Sequence, residues 1–372
     1  MGAGRTSLLG GSGGGIFVEV VALMEARKFF SLDEAAGITG GTCRGNASRC
    51  FRGVCSPDRL REDFLVAVWD RRRLDSVPSS WGVMTSPSWV SEGRDVVEVA
   101  NPRQALALLL QEVYEEPLRS GGIHPSAVVS PEAHVAPGAW VGPGCVVEAG
   151  AVLEEGAVLE GQDFVGYGVH IGPRVWIAPQ VVLYPRTVVG ARTRIHSGTV
   201  LGADGFGVLL EDEGAGEAIP HVGTVVIEED VVLGAHVTVD RGTLDVTRVG
   251  AGTKVDDHVH VGHNADIGKR CVLVAYVGIA GSAVVEDGSI LAARSGVASH
   301  VRIGRGARLA AMAGATRDIP PGAVVSGFPA WDHRKALRVE SLVRRLPELA
   351  ERLKRLEKGG SPETPPTPGE TP

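Results

Sequence analysis

Counted in sixes from Ile123, the chain carries an aliphatic residue at every step to Leu201: Ile123, Val129, Val135 and Val141, and onward to Ile177, Leu183, Val189, Ile195 and Leu201. The phase is lost across Gly202 to Val226, resumes at Ile227, Leu233 and Val239, and slips again over Thr243 to Arg248. It then runs from Val249 through Val255, Val261, Ile279, Val297 and Leu309 to Ala315. A period of six fits neither a 3.6-residue helix nor an open alternating strand. It fits a coil with three short flat sides, one hexad to a side and eighteen residues to a turn. Inward anchors stack on those of the coils above and below, and backbone hydrogen bonds join coils about 4.8 Å apart. The expected fold is mainly β: a parallel β-helix of hexapeptide repeats over residues 121–322, interrupted by a loop insertion at 202–226.

The flanks lack the period. Residues 25–120 read as a small α/β domain: Ser31 to Ala36 looks like a capped helix start, Asp95 to Val99 like a strand, and Asn101-Pro102-Arg103 leads into an apolar helix from Gln104 to Tyr114. Residues 323–358 read as an α-helical extension, with leucines at helical spacing and a kink at Pro347. The Pro/Thr/Glu-rich stretch 359–372 is expected to be disordered. Residues 1–24 read as a flexible leader, with translation starting at Met24 as the sharper version. Gly10 to Gly15 there mimics a phosphate loop without the preceding strand or the following Lys-Ser/Thr.

Composition narrows the function classes. A net charge of −7 over 372 residues gives no global argument for nucleic-acid binding. The five cysteines, Cys43, Cys50, Cys55, Cys145 and Cys271, show no C-x-x-C pair and read as reduced thiols of a cytoplasmic protein. No apolar run is long enough to span a membrane.

The stacking rule then locates chemistry. Hexads beginning at Val261, Ile279, Val297 and Ala315 share one face. His263 is third in its hexad, Gly281 third in the next, and His300 fourth in the one above, about 10 Å from His263. Aminolysis of a thioester needs a group that takes a proton near neutral pH, which suits histidine. It also needs a donor for the developing oxyanion, which a glycine N–H supplies unobstructed. Taken alone, His263 reads more readily as a surface-turn residue than as a base.

Several stretches outside the repeat add specificity: Gly202-Ala203-Asp204-Gly205-Phe206-Gly207, Ile219-Pro220-His221-Val222-Gly223, Val239-Asp240-Arg241-Gly242-Thr243-Leu244-Asp245, Gly262-His263-Asn264 and Ser326-Gly327-Phe328-Pro329-Ala330. With these, residues 123–330 resemble the UDP-3-O-acylglucosamine N-acyltransferases of lipid A biosynthesis. The resemblance implies a left-handed β-helix, a homotrimer, and transfer of a 3-hydroxyacyl chain to the 2-amine of UDP-3-O-acylglucosamine. The donor would be acyl carrier protein, through its phosphopantetheine arm, with no metal or other cofactor. It also implies His263 as general base, Asp256 to orient or polarise the imidazole, Gly281 as oxyanion donor, and His300 against the acyl-carrier arm or acyl hydroxyl. Asp256 also reads as a solvated coil corner, and His300 as a structural turn residue.

The N-terminal domain resembles the family's uridine-binding domain in Val96 to Pro102. The family's Phe-Leu-x-Asn-Pro-Lys-Tyr stretch is here Phe64 to Asp70, which keeps the Phe and lacks the Asn and Tyr. Phe64 and Trp69 each offer a flat face for a base, or fill the core of a small domain. Nine cations against five acids in 331–358 suit an acidic partner such as acyl carrier protein, or a solvated helix. Two other readings follow from the residues. One is a γ-type carbonic anhydrase-like zinc enzyme using His258 and His263 with His260 or His236. The other is a nucleotide-sugar acyltransferase with an altered acceptor. Acyl-chain length is not readable from the sequence.

Overall fold

The computed structural model describes residues 26, 28–89, 93–114, 119, 121–211, 214–327 and 333–357. The leader 1–24, Phe328 to Ala330, Lys358 and the tail 359–372 lie outside them. The chain divides into two compact units, Met1–Leu118 and Arg119–Pro372.

In the first unit a five-stranded sheet runs in the order Thr42–Arg44, Val96–Glu98, Val83–Thr85, Phe64–Ala67, Gly53–Cys55, antiparallel in its first pair and parallel in the rest. Alternation sorts its side chains. Leu65, Ala67, Met84 and Val97 pack with the helices Leu32–Thr39 and Pro102–Tyr114, while Phe64, Val66, Val83 and Val96 pack on the opposite face with Leu74 and Val77. The first helix starts at a capping box: the Ser31 side chain accepts from Glu34 N–H at 3.1 Å and the Glu34 carboxylate accepts from Ser31 N–H at 2.7 Å. The second begins with Pro102 in its first turn, behind Asn101, whose Oδ1 accepts from Gln104 N–H at 3.3 Å.

The second unit is the coil that the period of six predicts. Strands of two to four residues stack into three parallel sheets of eleven, ten and nine strands, which are the three sides. Within uninterrupted coils the pairing steps by eighteen residues, as in Val261↔Ile279 and Ile279↔Val297. The anchors from Val141 to Leu309 are buried in one continuous column. The anchors of the first coil are less covered: Val129 and Val135 are partly buried against the column, and Ile123, on which a single neighbouring coil packs, is 50% exposed.

Both phase slips leave the coil at the same corner, between the ten- and the nine-stranded sides. The first departs after Val200–Ala203, makes an antiparallel hairpin of Val208–Glu211 with Gly214–Ala218, and returns at Thr224–Ile227. The second leaves after Thr238–Asp240 and returns at Val246–Val249. Arg241 staples the base of the first excursion: its Nε donates to Gly202 O at 2.7 Å and its guanidinium reaches Pro185 O at 3.2 Å.

The C-terminal helix is two helices, His333–Arg344 and Leu346–Glu357, broken just before Pro347, which lacks the N–H to continue the ladder. Among the described residues no helix is long and apolar enough to cross a membrane.

Candidate active site

His263 stands at the excursion corner, directly after the strand His260–Val261. Asn264 follows in the left-handed region (φ 59°), a conformation asparagine tolerates better than most residues. Its N–H donates to the buried hydroxyl of Thr247 at 2.7 Å, and its side-chain Oδ1 accepts from Thr243 N–H at 3.0 Å. The second bond settles the amide's orientation, because a backbone N–H cannot face an NH₂ group. His263 Nδ1 lies 3.1 Å from the same Oδ1 and 3.3 Å from the Thr243 hydroxyl. An amide oxygen only accepts, so Nδ1 carries the proton and the neutral ring keeps its lone pair on Nε2.

That Nε2 faces Gly281 one coil on. A Cβ placed on Gly281 would lie 2.6 Å from it, so only glycine leaves the space open. The Gly281 N–H meets no acceptor among the described residues, whereas the neighbouring Ser282 N–H donates to His263 O at 2.8 Å. A bare lone pair and a bare N–H therefore border one groove of about 560 Å³. Its floor is the ten-stranded side, where His260, Gly278, Gly296 and Gly314 sit in register. Phe206, 88% exposed on the first excursion, overhangs it.

The carboxylate of this site is Asp240. It is buried one coil below Gly262, with Oδ2 3.6 Å from His260 Nε2. Burial pushes its carboxyl above the usual range, and the charges of His260, His263 and His221 pull it back.

Asp256 is not brought to His263. It follows the strand Lys254–Val255 on the eleven-stranded side, and its two oxygens accept from the backbone N–H groups of Asp257 (2.9 Å) and Ala275 (3.0 Å), pinning a different corner. His300 shares the corner of His263 but is exposed, its N–H donating to Gly281 O at 3.3 Å, and it does not line the groove. Phe64 is 3% exposed, packed among Val66, Val83 and Leu74 with Arg61 over its ring, and so presents no face to a base. Trp69, just past the same strand, is 40% exposed.

The zinc set does not converge. His258 stacks between His236 (5.2 Å) and Tyr276 (4.9 Å) at the corner joining the eleven- and ten-stranded sides, and His263 is at the other end of the ten-stranded side. Among the described residues no group of three or more His, Cys, Asp or Glu is arranged to hold a metal.

The sequence reading assigned no role to Asp240, Thr243, Asn264 or His221. All four lie in the quoted non-repeat stretches, which was the available signal.

Residues 168–203 match the bacterial transferase hexapeptide family (six repeats). The UDP-3-O-acylglucosamine N-acyltransferase 1 of Gloeobacter violaceus is 43% identical over 333 residues, 88% of this chain and 95% of that protein. The UDP-3-O-acylglucosamine N-acyltransferase of Geobacter sp. is 48% identical over 330 residues, again 88% and 95%. Among solved structures, the UDP-N-acetylglucosamine acyltransferase of Francisella novicida aligns with a TM-score of 0.45 at 27% identity, covering 64% of this chain and 79% of that one. With two relatives 43% and 48% identical and matched over nearly their whole length, the chain belongs to the UDP-3-O-acylglucosamine N-acyltransferase family.

Proposed function

We propose that this chain transfers a 3-hydroxyacyl group from the phosphopantetheine thioester of acyl carrier protein to the 2-amine of UDP-3-O-acylglucosamine. The observation that carries the reading is the facing pair at the groove wall, the free Nε2 of His263 and the unpaired N–H of Gly281. As the amine nitrogen bonds to the thioester carbon, Nε2 takes its proton, and the Gly281 N–H donates to the oxygen that becomes negative. When the carbon–sulfur bond breaks, the imidazolium returns the proton to the leaving thiolate. Asp240, in place of Asp256, supplies the buried negative charge near the ring, and Asn264 holds its tautomer. No metal or resident cofactor enters the chemistry. The proposal includes left-handed winding of the coils, a homotrimer, a cytoplasmic location, and the basic helices His333–Arg344 and Leu346–Glu357 as the surface that meets the acidic carrier protein.

The test is acyl transfer from 3-hydroxyacyl-carrier protein to UDP-3-O-acylglucosamine by wild type and His263→Ala. Loss of at least about a hundredfold in the variant is expected for removal of a general base. A folded wild type that leaves this acceptor unacylated, or a variant of undiminished rate, overturns the reading.

A further inference from the structure

One buried polar atom beside the base has no partner among the described residues. His221 closes the first excursion and is 4% exposed. Its Nδ1 lies 2.8 Å from Ile219 O. A carbonyl only accepts, so Nδ1 bears the proton and Nε2 of the neutral ring is a lone pair. That Nε2 is out of contact with solvent and meets no donor among the described residues, a costly state for a buried acceptor unless it serves something.

What it serves is next to it. The His221 and His263 rings are edge to face, centroids 5.1 Å apart and planes at 72°. Gly205 marks the contact: a Cβ there would lie 2.7 Å from His263 Cβ, 2.9 Å from His263 Cδ2 and 3.0 Å from His221 Nε2. The missing side chain at Gly205 thus lets the two rings meet, with His221 Nε2 and the Cδ2 edge of the base against the same backbone position. The ring C–H groups of an imidazolium are more positive than those of an imidazole, so this contact strengthens when His263 takes a proton.

We infer that His221 is a positioning residue for the base: its ring fixes the plane of the His263 imidazole, and its Nε2 stabilises the imidazolium formed during acyl transfer. This rests on the reading of His263 as general base. The other charged or titratable groups around the pair are Asp240 and His260 on the ten-stranded side and Asp204 and Arg241 at the mouth of the excursion. Among the described residues none of these hydrogen-bonds either ring; the ring nitrogens meet Ile219, Thr243 and Asn264 instead.

The experiment compares the full-length wild type with His221→Phe, which keeps a ring and removes both nitrogens, and His221→Gln, which keeps an acceptor. Two quantities are read: the NMR titration of His263 without substrate, and kcat and KM for the nucleotide sugar across pH. In His221→Phe the His263 titration and the acid limb of kcat/KM both move to lower pH and kcat falls about tenfold with KM unchanged, while His221→Gln recovers most of the loss. A His263 titration identical in wild type and His221→Phe overturns the inference, as does equal damage in both variants expressed as a raised KM. Because the titration needs no substrate, it decides the coupling of the two rings even if wild type fails to acylate the expected acceptor.

Discussion

At the scale of single residues, the site is a set of choices about where protons sit. Asn264 holds His263 in the tautomer that leaves Nε2 free, so Asn264→Ala should lower kcat by about tenfold to a hundredfold with little change in KM, checked by steady-state kinetics on a variant of unchanged circular dichroism. Gly281→Ala should be as damaging for a different reason, its new methyl lying within 2.6 Å of Nε2. Far from the groove, Asp163 is buried inside the coil, accepting from Val181 N–H at 2.9 Å, Gly161 N–H at 3.2 Å and the Cys145 thiol at 3.6 Å. Burial pushes its carboxyl up to about 7, against the pull of those donors. The folded chain therefore binds more protons than the unfolded chain between about pH 4 and pH 7, and stability through this group falls as pH rises across that window. Asp163→Asn should flatten the difference in urea midpoint between pH 5 and pH 8; an unchanged difference would show that Asp163 is not its source.

At the scale of elements, the sequence spoke clearly where it repeated. Counting in sixes located the anchors, the shared face of Val261, Ile279 and Val297, and the contact of His263 with Gly281, because each follows from burial recurring at one step per side. Asp256 shows where that arithmetic stops. A residue one hexad away lies round the next corner, and its side chain is claimed by whichever backbone N–H groups are bare there, here those of Asp257 and Ala275. Asp240 and His221 were illegible for the complementary reason: both lie beside or within phase slips, where no period assigns a neighbour. Phe64 takes the core reading of the two that the sequence left open, because both faces of the small sheet are covered. The excursion itself hangs on Arg241, whose guanidinium bonds both the excursion's base and the coil beneath. Arg241→Ala should speed amide exchange through residues 203–222 and impair turnover while leaving the exchange of the coil strands in place, because surface connections open separately from stacked coils.

At the scale of the whole molecule, the second unit is close to one-dimensional: each coil touches only the coil above and the coil below. Stability should then vary with position. Truncating a mid-column anchor such as Leu159→Ala should cost about 2–5 kcal/mol, and Ile123→Ala in the half-exposed first coil much less, measured by chemical denaturation. The two excursions change the spacing between paired positions from 18 residues to 38 and then 22, yet the strands on all three sides pair on in register, apart from one shift between Leu201 and Ala203 where the first excursion departs. Both additions leave by one edge, so in this chain one seam takes the added length while the other two corners keep their hexads. Insertions and deletions at that seam alter the wall of the groove without disturbing the scaffold, and variation in acceptor preference among related chains should therefore be written there, in the length and composition of the excursions, rather than in the coils that carry the base.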